Sequence, residues 1–202
     1  TVISIHRTYD LDALWVRSLS QHWSAGGFAG FRSSKYDNLN QSYTAAPAIE
    51  FSIFPYEEAT TSQLTILYRP EYVYNGYMDS TIFNQTEEHL ARQMLELDYE
   101  VKRKWGEIDV SMDLSNYFHD FSKNRMSFHS SLDVNVVKGL SVYFNGGVSL
   151  IHDQLALRKG NASTEEILTR QQELATNFEY YTRVGVSFTF GSMYNNIVNP
   201  RF

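Results

Sequence analysis

Residues Phe178–Phe190 have the sequence FEYYTRVGVSFTF, in which apolar and polar side chains alternate. The even-numbered positions are aromatic or valine except for Thr182, whereas the odd-numbered positions include Glu179 and Arg183. Because successive side chains of a β-strand point to opposite faces, the segment is predicted to be a strand with one apolar and one polar face. An aromatic apolar face opposite a charged face is typical of strands in an outer-membrane β-barrel.

The same alternation recurs along the chain and predicts nine strands in all. Their expected bounds are 2–19, 22–33, 43–54, 62–74, 88–102, 107–118, 123–137, 140–151 and 176–190. An antiparallel sandwich of a soluble protein alternates in the same way. We favour an antiparallel transmembrane β-barrel because the strands reach the ~9–11 residues that cross a bilayer at a tilt, with apolar faces along their full length.

Composition excludes several classes of function. The chain of 202 residues has no cysteine, which excludes disulfides and thiolate metal sites. Its net charge of -6 argues against nucleic-acid binding, which requires clustered Lys and Arg. No apolar run reaches the roughly 18 residues of a transmembrane helix, and no motif indicates a cofactor.

The connections between the strands predict the topology. Short links are expected at 20–21, 55–61, 103–106 and 138–139, and longer ones at 34–42, 75–87, 119–122 and 152–175. This alternation predicts short periplasmic turns, longer extracellular loops and a periplasmic C-terminus. In the longest loop, Ser163 and Glu166 fit a capping box and predict a short helix over 164–174. Bacterial barrels of a single chain close with an even number of strands, so we expect further strands before Thr1.

The polar faces of the strands predict a charged lumen. A structural interpretation is a set of ion-paired side chains that fills the barrel. A functional interpretation is a narrow pore that favours cations, because the acidic residues outnumber the basic ones. The residues assigned to this network are Glu50, Arg69, Glu71, Arg92, Glu96, Asp98, Glu100, Lys102, Asp109, Asp113, Arg125, Asp133, Glu179 and Arg183.

Two His-Asp dipeptides are weak candidates for catalysis. His119-Asp120 and His152-Asp153 are expected at the extracellular ends of two strands, in an arrangement that resembles the rim of omptin-type surface proteases. His129 with Ser127 and Ser131 on the same strand suggests a lipid-modifying hydrolase, but residues two apart on one strand do not form a triad by themselves. We expect His129 to be a hydrogen-bonded lumen residue. We assign no catalytic residue on this basis.

Several longer segments carry a resemblance to a family. They are similar to an uncharacterised group of outer-membrane β-barrel proteins from Bacteroidota-like and related Gram-negative bacteria. The resemblance implies that the chain is the C-terminal part of a barrel with about three more strands, which would give an even total of twelve. It implies a barrel over 1–190 and a periplasmic tail over 191–202, and it carries no activity. The segments are Ser20–Gly26, Ala45–Glu50, Phe54–Tyr56, Phe118–Arg125, Arg170–Thr176, Phe188–Ser192 and Asn195–Phe202.

The function expected from the sequence is structural. The chain would be a scaffolding barrel in the outer membrane, in contact with lipid and lipopolysaccharide, and a subunit or partner in an envelope complex. Two alternatives stay open: a narrow cation-leaning pore for small solutes, and a surface hydrolase that uses the His/Asp rim.

Overall fold

The computed structural model describes residues 7–160 and 175–190. These residues form nine strands and one turn of 3-10 helix at Tyr56–Glu58, which confirms the predicted all-β antiparallel fold. The strands are β1 (Thr8–Ser18), β2 (Trp23–Ser34), β3 (Leu39–Ser52), β4 (Ser62–Tyr77), β5 (Glu87–Arg103), β6 (Gly106–Tyr117), β7 (Asn124–Val137), β8 (Leu140–Ile151) and β9 (Phe178–Phe188).

The strands form one sheet in which each strand pairs with the next along the chain. The order is β1-β2-β3-β4-β5-β6-β7-β8-β9, and every pair is antiparallel. Within the described residues β1 and β9 do not pair with each other, so the sheet is open at both edges. Because neighbouring strands run in opposite directions, the first and the ninth strand of the sheet, β1 and β9, run in the same direction.

The expected alternation of short and long links is wrong at β3. The link between β2 and β3 spans only 35–38, whereas the link between β3 and β4 spans 53–61. The strand begins at Leu39 because Asn38 takes a positive φ of 61° and closes a tight turn. Residues 40–42 are polar and show no apolar alternation, yet Gln41 and Ser42 pair with β4, and Ser42 also pairs with β2. We call the end of the sheet with links 35–38, 78–86, 118–123 and 152–177 the loop end, and the opposite end the turn end.

The sheet curves around its polar face. A cavity of about 860 Å³ on this face touches Asp12 of β1, Arg125 of β7 and residues of every strand between them. The buried apolar cluster also lies on this side and consists of Val73, Leu90, Tyr117 and Leu155. In the two described ranges, no helix has the length and apolar content needed to cross a membrane. The helix predicted over 164–174 and the tail over 191–202 lie outside the described residues.

Candidate functional site

One row of directly paired residues crosses eight strands and is apolar in every strand. It begins at Trp23 in β2 and ends at Tyr180 in β9. The row lies at the turn end of β2 and near the loop end of β9, so the strands are staggered, as they are in tilted barrel strands. Its members in order are Trp23, Phe51, Ile66, Leu97, Met112, Phe128, Val148 and Tyr180.

The adjacent row, one residue further along each strand, has the opposite character. It is polar in every strand except β4, where it contains Leu67. Four of its members belong to the charge set predicted from the sequence. In order the row contains Ser24, Glu50, Leu67, Glu96, Asp113, Ser127, Ser149 and Glu179. The register places every member of the predicted charge set on this same polar face.

Every strand except β6 carries an exposed large apolar side chain on the apolar face. Ile49 of β3 is 44% exposed, Tyr72 of β4 is 53% exposed and Tyr180 of β9 is 76% exposed. Soluble monomers rarely expose contiguous apolar patches larger than a few hundred Å². A face that is apolar over nine strands therefore requires an apolar environment or an apolar partner.

Aromatic side chains on this face cluster at both ends of the strands. At the turn end, Trp23 packs against Phe51 with ring centroids 4.7 Å apart. At the loop end, Tyr43 lies 5.3 Å from Phe31 and 6.3 Å from Tyr74 in centroid distance. Along β2 the two clusters are eight residues apart, which corresponds to about 26 Å of strand and about 20 Å across a membrane at a tilt of ~40°. Aromatic girdles at both interfaces are typical of transmembrane barrels, whose apolar band is about 25 Å tall.

A buried carboxylate organises the positive charges of the polar face. Glu71 has a side chain only 2% exposed and lies between two arginines. Its Oε1 is 2.6 Å from Arg69 Nε, and its Oε2 pairs with Arg92 Nε. Arg69 also pairs with Glu96 at 3.0 Å and lies over the ring of Phe28. Both guanidinium groups are largely withdrawn from water, so the carboxylate that they share is their main partner and holds both in position.

The acidic residues nearer the turn end have no such partners. Asp98, Asp109 and Asp113 form no ion pair with any residue in the described part of the chain. Asp113 faces Glu96 across the β5–β6 pair, and Asp109 lies further toward the turn end of the same strand. This half of the polar face therefore carries uncompensated negative charge.

The first predicted dipeptide at the rim is held by neighbours in its own loop. The ring of His119 lies 5.6 Å from that of Tyr117 in centroid distance. Asp120 Oδ1 accepts hydrogen bonds from Ser122 Oγ at 2.6 Å and from Ser122 N at 2.9 Å. These two hydrogen bonds hold the pKa of the Asp120 carboxyl below its usual range. They close the β6–β7 link.

The second dipeptide is held by β7 and does not contact the first. His152 Nδ1 donates to Asn124 Oδ1 at 3.2 Å. Asp153 pairs with Arg125, whose Nη2 is 2.9 Å from Asp153 Oδ1. Within the described residues, no three His, Cys, Asp or Glu side chains are arranged to hold a metal ion. The four candidate residues thus have separate partners and do not converge on one point.

The histidine on β7 has a hydrogen-bond partner on the polar face. His129 Nδ1 lies 3.3 Å from the hydroxyl of Tyr181 on β9. Its neighbour Ser127 accepts instead from Ser149 Oγ at 3.0 Å. The first contact reaches across β8 to β9, and the second joins β7 to its neighbour β8.

Coverage of the polar face at the loop end by residues 152–160 was not predicted from the sequence. Residues His152–Gly160, which follow β8, fold back over this face, and Leu155 joins the buried apolar cluster. A local signal for this packing is the apolar run Leu155-Ala156-Leu157, which lies between polar residues of the loop.

Comparisons of the sequence and the structure with protein-family models, curated proteins and solved structures gave no match.

Proposed function

We propose that the chain forms the wall of a β-barrel in the outer membrane of a Gram-negative bacterium and that its role is structural. The observation that carries this proposal is the pair of adjacent rows, one apolar from Trp23 to Tyr180 and the other polar. In lipid, such a sheet places its apolar row against the acyl chains and its polar row toward a lumen. The aromatic clusters at both ends of the strands support the same orientation.

A structural role is favoured over transport because ion-paired side chains and the segment after β8 cover part of the polar face around its cavity. Glu71 and its two arginines occupy the middle of this face, and Leu155 packs beside them. The open edges at β1 and β9 supply unpaired backbone groups for further strands or for a protein partner. Lipid and lipopolysaccharide would contact the apolar face, and an envelope complex would contact the edges and loops.

Fractionation of bacterial envelopes and gel mobility test the proposal together. The full-length protein is expected in the outer-membrane fraction after a carbonate wash, and in detergent it should migrate differently before and after boiling, as folded barrels do. Release of the protein by carbonate, together with identical mobility of boiled and unboiled samples, would show that the apolar face is covered by something other than lipid.

A narrow cation-leaning pore is the second candidate, because the acidic residues near the turn end lack cationic partners. Cation selectivity should then fall in Asp98→Asn and Asp113→Asn, measured as the reversal potential in a salt gradient across a planar bilayer. Glu57→Gln, in the exposed 3-10 turn, is the control and should leave selectivity unchanged. A bilayer that holds the protein but stays silent would argue for the structural role.

A further inference from the structure

The segment His152–Gly160, which we call the latch, connects distant parts of the sheet. It leaves β8 and reaches the β2–β3 and β4–β5 links, although β3 and β8 are separated by four strands. Its buried residue Leu155 belongs to an apolar cluster whose other members lie on the polar face of the sheet, namely Val73, Leu90 and Tyr117. The latch therefore crosses the concave side of the sheet at the loop end rather than its outer surface.

The first half of the latch is anchored on the polar face. Leu155 is 6% exposed and belongs to one cluster with Val73 of β4 and Tyr117 of β6. Beside it, the Asp153 carboxylate accepts hydrogen bonds from Arg125 Nε at 3.0 and 3.1 Å. An apolar anchor and a paired charge thus hold the same turn of chain.

The middle of the latch is bound by a buried asparagine from the opposite side. Asn38 is 2% exposed, and its Nδ2 donates to the carbonyls of Ala156 and Asp79, both at 2.9 Å. Its Oδ1 accepts from Asp79 N at 2.9 Å. One side chain therefore ties the latch to the β2–β3 and β4–β5 links at once.

The second half of the latch pairs with the β4–β5 link as a short piece of antiparallel sheet. Thr81 faces Arg158 in an isolated bridge, and Ile82 N donates to Leu157 O at 2.8 Å. Arg158 also donates to Lys35 O at 2.7 Å and pairs with Asp79 at 3.4 Å. Thr81 is fully buried under this contact.

We propose that the latch is a built-in closure that blocks the loop end of the barrel interior and keeps the protein from conducting. The proposal rests on the proposed function, because it takes the polar face as the inside of a barrel. Loops that fold inward plug or narrow many outer-membrane barrels, and backbone away from regular strands is tolerated at membrane depth where it is buried in protein. Release of the Leu155 and Asp153 anchors would open the interior to ions.

Two engineered cysteines test where the latch lies. The chain contains no other cysteine, so only the pair Thr81→Cys/Arg158→Cys can form an intramolecular disulfide. Facing residues of an antiparallel pair have Cα atoms about 4.5–5.5 Å apart, within the range of about 4.4–6.8 Å that a disulfide spans. The pair should oxidise in the folded protein, whereas Ser122→Cys/Arg158→Cys, with one thiol on the β6–β7 link, should not. Absence of the first disulfide in folded protein would overturn the proposal.

Conductance tests what the latch does. In planar bilayers the full-length wild-type protein should pass little current, and Leu155→Ser/Asp153→Asn should raise the current several-fold. When the cysteine pair is added to this release variant, oxidation should restore the low current and reduction should raise it again. Equal currents in the wild type and the release variant would show that the latch does not block the interior. If no variant enters a bilayer, the proposed membrane function fails, and the disulfide in detergent still decides the position of the latch.

Discussion

At the scale of single residues, Glu71 is the buried charge at the centre of the ion pairs on the polar face. Its carboxylate is shared by two arginines and is almost fully withdrawn from water. Removing one member of a buried ion pair costs about 3–5 kcal/mol, because the remaining charge loses its partner. We expect Glu71→Gln to lower the free energy of unfolding by about that amount, measured by denaturant titration in detergent micelles.

The matched control for this substitution is Asp133→Asn on the same face. Asp133 forms no ion pair with another described residue, so its neutralisation should change the free energy of unfolding by less than about 0.5 kcal/mol. Equal losses in the two variants would mean that Glu71 is not the centre of the network.

At the scale of the strand, neighbouring residues of β6 should respond in opposite ways to the same substitution. Met112 lies on the apolar face midway along the strand, and Ser111 lies on the polar face opposite Asp98. An arginine on the lipid face near the middle of the membrane costs about 2–4 kcal/mol. If the apolar face contacts lipid as proposed, Met112→Arg should lower the stability of the folded protein in liposomes by this amount, whereas Ser111→Arg gains a carboxylate partner and should be tolerated. Similar losses for both would contradict the assignment of the two faces.

The strands could be predicted from the sequence where alternation was strong, and not elsewhere. For β8 the expected and observed bounds agree, because its apolar and polar residues alternate and Gly139 begins a left-handed turn before it. The start of β3 was missed because residues 40–42 are all polar, and the strand character there comes from the pairing of Leu39, Gln41 and Ser42 with neighbouring strands.

The faces of the charged residues were predictable, but their partners were not. A period of two is enough to place Glu71 and Arg92 on one side. Their contact depends on the β4–β5 register, which pairs them directly and which a single sequence does not contain. The latch was missed for the same reason, since Leu155 packs against Val73, a residue far away in the chain.

At the scale of the whole molecule, the directions of the two edge strands limit how the sheet can close. Since β1 and β9 run the same way, antiparallel pairing at both edges requires an odd number of further strands between them. Unpaired edge groups in lipid cost several kcal/mol each, so a membrane location makes these edges the sites where further strands would bind. A second copy in the same orientation could offer only parallel pairing at either edge.

The most direct test of the membrane proposal is the environment of each residue along β6. Single cysteines at positions 109–114 can carry a nitroxide label, because the chain has no cysteine of its own. In liposomes, the even-numbered positions should be more accessible to oxygen, which concentrates in lipid, and the odd-numbered positions more accessible to a water-soluble nickel complex. An alternation with a period of two residues would support a lipid-facing apolar side that includes Met112. Access of the nickel complex to positions 110, 112 and 114 equal to that at 109, 111 and 113 would contradict it.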